Sequence, residues 1–160
     1  MDNKAITILI IEDEPDISEI IEYNLSQSGY SILVSNNGEK GIQNTRKHLP
    51  DLILLDLMLP GIHGIDVCRI LKNDIDTSNV SIIMLTALGQ EEDIIKGLEN
   101  GADDYVTKPF SFPVLEARIQ SVLRRVKKED IENENVSTSG IVISSRKREV
   151  VINCLLYTSD

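Results

Sequence analysis

The chain reads as an α/β fold of the doubly wound type, a five-stranded parallel sheet with flanking helices. Three observations predict it. Short runs built almost wholly of Ile, Leu and Val alternate along the chain with stretches whose apolar residues recur at helical spacing. Strands apolar on both faces belong in parallel sheets, where each crossover helix covers the strands it joins. Composition agrees: 160 residues, 41% hydrophobic but only 4% aromatic and without Trp, leave the core to branched aliphatic side chains. That length suffices for one domain and a short piece of another.

The elements follow in order. Ala5 to Ile11 is a buried strand that runs straight into Glu12, Asp13 and Glu14. Residues 15 to 28 form a helix, with Pro15 in its first turn, Ile17, Ile20, Ile21 and Leu25 on one stripe, and Gly29 behind its last turn. A strand at Tyr30 to Ser35 precedes a weaker helix from Gly38 to His48. Leu52 to Asp56 and Val80 to Leu85 are apolar strands around a helix, Gly64 to Asn73, that carries Ile65, Cys68 and Leu71. Glu91 to Asn100 is helical through Ile94, Ile95 and Leu98. Asp104 to Thr107 is a short strand, and Ser111 to Lys127 is a helix with Leu115, Ile119, Val122 and Leu123 inward. The change in composition after Lys127 predicts a domain over residues 1–127 and an exposed linker over 128–139. Beyond it, Ile141 to Ser144 and Glu149 to Asn153 read as a short β hairpin, which is too little for a domain.

Charge and cysteine content exclude several classes of function. Sixteen basic residues against 26 acidic ones give a net charge of −10, so a general attraction to nucleic acid is excluded and any DNA contact must be local. Cys68 and Cys154 match no disulfide or metal-ligand spacing, and no membrane span or signal-like run is present, which together predict a cytoplasmic protein. His48 and His63 read as surface residues.

In doubly wound sheets the ligand site lies beyond the carboxyl ends of the strands. That rule gathers Glu12 and Asp13 from strand one, Asp56 from strand three, Thr86 from strand four and Lys108 from strand five. Three converging carboxylates repel one another unless a cation lies between them, and a hard divalent ion, best Mg²⁺, resolves the conflict. A lysine and a hydroxyl nearby suit phosphoryl transfer to a carboxylate. Taken singly the residues have plainer readings: helix capping for Glu12, Asp13 and Thr86, a turn residue for Asp56, and a half-buried strand aromatic for Tyr105.

Five motifs in register resemble the receiver domain of two-component response regulators, a flavodoxin-like fold. They are Glu12-Asp13, Asp56 within Leu-Leu-Asp-Leu-Met-Leu-Pro-Gly, Thr86-Ala87, the run Gly101 to Thr107 with Tyr105, and Lys108-Pro109-Phe110. The resemblance covers about Ile6 to Arg125. It implies that Asp56 accepts a phosphoryl group from a sensor histidine kinase, and that the chain is a self-modifying switch rather than an enzyme acting on other substrates. By the same resemblance Mg²⁺ is bound by Asp13, Asp56 and the Met58 carbonyl, with Glu12 helping through water. Thr86 and Lys108 hold phosphoryl oxygens, Tyr105 is a rotamer switch coupled to Thr86, and the Lys108-Pro109 peptide is cis.

Two rival chemistries fit less well. Aspartate-nucleophile phosphatases want a second Asp where Met58 stands, and flavin proteins of this architecture want a phosphate loop where Glu12 to Glu14 stand. In the OmpR/PhoB-like subfamily, whose output domain is a winged helix, the face made by helix four, strand five and helix five forms a homodimer. Asp103, Asp104, Arg118 and Arg125 stand where its ion pairs are expected, around Ile95 and Leu98, while Ile94 and Val114 depart from the subfamily's usual Arg and Glu. Residues 140–160 resemble the truncated start of that DNA-binding domain. The last seven, Cys154 to Asp160, resemble a translated sequencing-adapter read-through and are expected to be non-native. On this reading the complete protein regulates transcription and binds DNA only with its whole output domain. The alternative is a single-domain receiver that signals through protein contacts alone.

Overall fold

The structure is a computed structural model that describes residues 4–87 and 90–138, with side chains through Glu134. The chain divides into two compact units, residues 1–123 and 124–160. The first holds all five strands in the order β2-β1-β3-β4-β5, every neighbouring pair parallel. The strands are β1 (Thr7–Ile11), β2 (Ser31–Ser35), β3 (Leu52–Asp56), β4 (Ser81–Ala87) and β5 (Asp104–Lys108). They alternate with α1 (Pro15–Gln27), α2 (Gly38–His48), α3 (Gly64–Asn73), α4 (Glu91–Glu99) and α5 (Phe112–Thr138).

Each face of the sheet has its own core, because side chains alternate along a strand. Leu9, Ile11, Ile53, Leu55, Ile82 and Met84 point to the side covered by α2 and α3, where Ile42, Val67, Cys68 and Leu71 meet them. Ile8, Ile10, Leu52, Leu54, Ile83 and Leu85 point to the other, against Ile21 and Leu25 of α1 and Leu115, Ile119 and Val122 of α5. Most are wholly buried. At roughly 1.5–3 kcal/mol for each such side chain, this double core is what fixes the strand ends in space.

Local chemistry sets the helix starts. The Asn37 side chain accepts the Lys40 N–H at 2.8 Å to cap α2, and Ser111 Oγ accepts the Val114 N–H at 3.3 Å at the head of α5. Gly64 opens α3 where no side chain fits: a Cβ there would press into the Asp56 carbonyl oxygen and lie 2.8 Å from Leu57 Cα.

Two expectations need correction. The segment read as a linker, 128–139, is helical through Thr138. Its Lys, Glu and Asp residues are good or tolerable helix formers. Arg125 and Glu129, then Lys128 and Glu132, stand four apart with opposite charge, and no Gly or Pro interrupts before Gly140. The unit boundary at 123/124 also falls about one helical turn before the expected one. The predicted hairpin at 141–153, the winged-helix fragment 140–160 and the Cys154 to Asp160 tail lie outside the described residues.

Candidate functional site

The strand order reverses direction between β1 and β3, and it is at this switch point that doubly wound sheets bind ligands. Glu12 directly follows the last residue of β1, and Asp56 is the last residue of β3. Glu12 N–H donates to the Ser35 carbonyl at 3.0 Å, so β1's ladder with β2 extends into the acidic loop. As a result Glu12, Asp13 and Asp56 each offer a carboxylate oxygen, all within 4.8 Å of one another. Among the described residues this is the one group of three or more His, Cys, Asp or Glu side chains placed to share an ion.

Lys108, the last residue of β5, reaches into the cluster. Its Nζ donates to Glu12 Oε2 at 2.9 Å and to Asp56 Oδ1 at 3.2 Å, and the Lys108-Pro109 peptide is cis. Asp56 Oδ1 also accepts the Met58 N–H at 3.3 Å, and Glu12 Oε1 accepts the Glu14 N–H at 3.3 Å. Glu12 and Asp56 are buried, while Asp13 is half-buried.

Burial dominates the electrostatics. It pushes the Glu12 carboxyl up to about 7; the Lys108 hydrogen bond opposes that rise, and the Asp56 charge adds to it. For Lys108 burial alone would lower the ammonium's pKa, but the carboxylates around it outweigh burial and hold the net value above the ordinary one. Three carboxylates against one ammonium leave the site short of positive charge. An all-oxygen donor set with that deficit fits a hard divalent cation.

The remaining predicted residues lie around this cluster. β4 runs two residues beyond its expected end, so Thr86 lies inside the strand, next after the Leu85 that pairs with Asp56. It is buried, and its hydroxyl donates to the Ala87 carbonyl at 3.4 Å. Met58 brings its main chain to Asp56 but leaves its side chain 61% exposed. Tyr105, 38% exposed, precedes by two residues the Thr107 that pairs with Thr86, which puts it on Thr86's side of the sheet.

Asp103, expected among the ion-pairing residues of a dimer face, accepts Lys72 Nζ at 3.2 Å and the Ile82 N–H at 2.8 Å within its own chain. Asp104 pairs with Arg118 at 3.6 Å. His48 is exposed and His63 half-buried at the head of α3. Sequence reasoning missed the contact of Gly64 with the Asp56 backbone; its only signal was a glycine at a helix start eight residues after a strand-end Asp.

Comparison with known proteins gives the same picture. The family model described as the response regulator receiver domain matches residues 8–120. The chain is 46% identical over 159 residues to a probable transcriptional regulator, ycf27, of Porphyra purpurea, covering 96% of this chain and 64% of that protein. It is 45% identical over 122 residues to the phosphate regulon transcriptional regulatory protein PhoB of Rhizobium meliloti, covering 76% of this chain and 54% of that one. Among solved structures, a putative response regulator from Chloroflexus aurantiacus superposes with a TM-score of 0.73 at 36% identity, over 76% of this chain and 99% of that one. The chain thus spans between about half and two thirds of the length of the curated relatives it matches. With its strand order, its acidic cluster and these matches, the chain belongs to the response regulator receiver family.

Proposed function

We propose that this chain is the phosphoryl-accepting part of a two-component response regulator, with Asp56 as the acceptor. The observation that carries the reading is the buried cluster of Glu12, Asp13 and Asp56 with Lys108 at the carboxyl end of a receiver sheet. Glu12, Asp13, Asp56 and the Met58 carbonyl would hold Mg²⁺, which when bound draws charge off phosphoryl oxygens. Met58 N–H and Lys108 both engage Asp56 Oδ1, so Oδ2 is the oxygen left to attack phosphorus. The new O–P bond forms as the P–N bond to a kinase phosphohistidine breaks. The departing imidazole nitrogen keeps the electron pair and takes a proton from solvent.

The acyl phosphate adds roughly one further negative charge at Asp56. Lys108 then shifts to the phosphoryl oxygens and Thr86 turns its hydroxyl toward them, leaving room on its side of the sheet for Tyr105. The readout surface is the face of α4, β5 and the first turns of α5, where Ile95, Leu98, Tyr105 and Val114 are exposed. A second copy docks there in the phosphorylated state. Both relatives described above carry the name of transcriptional regulators, which supports control of transcription and DNA binding by the complete protein, with residues 128–139 as connector to the output region. No described helix is long and apolar enough to cross a membrane, in keeping with a cytoplasmic site of action.

The test is incubation with acetyl phosphate and Mg²⁺ followed by intact-mass measurement. Wild type gains one phosphate and Asp56→Asn gains none; a gain that survives the substitution moves the acceptor elsewhere.

A further inference from the structure

We infer that Met58 is a modification site: oxidation of its thioether by a peroxide, reversible by methionine sulfoxide reductases, slows phosphoryl acceptance at Asp56. The effect on acceptance rests on the proposed function; the oxidation itself does not. Of the chain's three methionines, Met1 lies outside the described residues, Met84 is 3% exposed, and Met58 is 61% exposed. That exposure is imposed by the backbone. Met58 stands between Leu57 and Leu59, both buried. Leu57 is held on two sides, its N–H donating to the Leu85 carbonyl and its carbonyl accepting the Gly64 N–H, each at 3.0 Å. The Met58 N–H is itself held by Asp56 Oδ1 at 3.3 Å. The main chain is thus fixed beside the acceptor while the sulfur is left in water, where susceptibility to oxidation follows exposure.

A sulfur lone pair attacks one oxygen of hydrogen peroxide. The S–O bond forms as the O–O bond breaks, and the departing hydroxide takes the proton that the transferred oxygen sheds and leaves as water. Sulfur is oxidised and the peroxide reduced. The new oxygen falls within reach of the site. The Met58 N–H and Lys108 Nζ meet on one atom, Asp56 Oδ1, at 3.3 and 3.2 Å, so the two nitrogens are no farther apart than those bonds laid end to end. A methionine side chain carrying a sulfoxide is long enough to cross that gap. The lysine ammonium has three N–H donors, and its acceptors among the described residues are two, Glu12 Oε2 and Asp56 Oδ1. A thioether accepts hydrogen bonds weakly, whereas a sulfoxide oxygen accepts strongly and takes the third donor. Lys108 tethered in this way is slower to turn to the phosphoryl oxygens, and acceptance slows with it.

The experiment treats the full chain with hydrogen peroxide, maps the methionines by peptide mass, and follows phosphate uptake from acetyl phosphate and Mg²⁺ by intact mass. Met58 gains one oxygen while Met84, shielded in the core, stays reduced. Uptake by the treated wild type is about threefold slower than by the untreated, and a pair of sulfoxide reductases, one for each epimer, restores it. Met58→Leu, judged only against its own untreated sample, keeps its rate through the treatment; it retains both cysteines, so an effect through them would persist in it. Oxidation of Met84 as early as Met58, or none at Met58, overturns the site. Oxidised Met58 with an unchanged rate, or slowing that persists in Met58→Leu, overturns the effect on acceptance. An untreated wild type that takes up no phosphate overturns the reading under the proposed function and that effect with it, while the peptide map still decides the oxidation.

Discussion

At the amino end of the sheet Lys72 pairs with Asp103 across 3.2 Å, and at the carboxyl end Lys108 pairs with Asp56 across the same distance. Both pairs are largely withdrawn from water, with side chains 16% and 14% exposed in the first and 23% and 7% in the second. Their surroundings differ. Lys72 also donates to the Val80 carbonyl at 2.6 Å and the Ser78 carbonyl at 3.4 Å, and Asp103 also accepts the Ile82 N–H. Here an ammonium meets a carboxylate, and the backbone takes up further hydrogen-bonding capacity of both. At the other end one ammonium faces three carboxylates. A buried ion pair is therefore no sign of function by itself; the imbalance around it is.

Four changes put this contrast to the test. Lys72→Met removes the ammonium beside the part-buried Asp103 and costs about 3 kcal/mol of stability by urea denaturation. Because the pair lies at the opposite end of the sheet from the acidic cluster, the change alters Mg²⁺ affinity by less than about twofold. Gly64→Ala forces its new Cβ against the Asp56 and Leu57 main chain, costs about 2 kcal/mol, and also slows acetyl phosphate incorporation, since the displaced backbone is the acceptor's own.

The third change is in pH. Without divalent ions the folded protein holds a proton on Glu12, between the unfolded value of 4.5 and about 7, that the unfolded chain has lost. The contribution is fully present below pH 4.5 and is lost as pH rises through 7, with a slope of at most about 1.4 kcal/mol per pH unit. Denaturant midpoints of Glu12→Gln, measured in EDTA, are flatter across that window. Last, Mg²⁺ at ten times its dissociation constant stabilises wild type by about 1.4 kcal/mol; thermal melts of Asp13→Asn show no such gain at the same concentration.

How much of this was legible beforehand depends on the kind of signal. The strand Leu52 to Asp56 is legible because its unbroken apolar run, Leu52 to Leu55, stands between stretches with helical stripes, and Glu12, Asp13, Asp56 and Lys108 follow from where the strands stop. The end of α5 does not. An exposed helix and an exposed linker are both polar, so composition does not separate them over residues 128–138; helix-forming preference and opposite charges four apart do. Asp103 and Asp104 are alike in one dimension, yet the first turns toward Lys72 and the second toward Arg118. Adjacent residues on or near a strand face opposite ways, and the residue that meets each is set by helices far off in the chain. The contact of Gly64 with the Asp56 carbonyl is equally invisible without coordinates.

The position of the strands has one more implication. Among the described residues β3 is laced to a neighbour along both borders, whereas β5 is laced along one only. The aspartate that would receive the chemical signal is therefore planted in an interior ribbon of the sheet, while Tyr105 and Lys108 ride on its hem. A perturbation at Asp56 finds little give where it begins and most give at the border, so backbone deuterium uptake should be slowest along 52–56 and faster along 104–108.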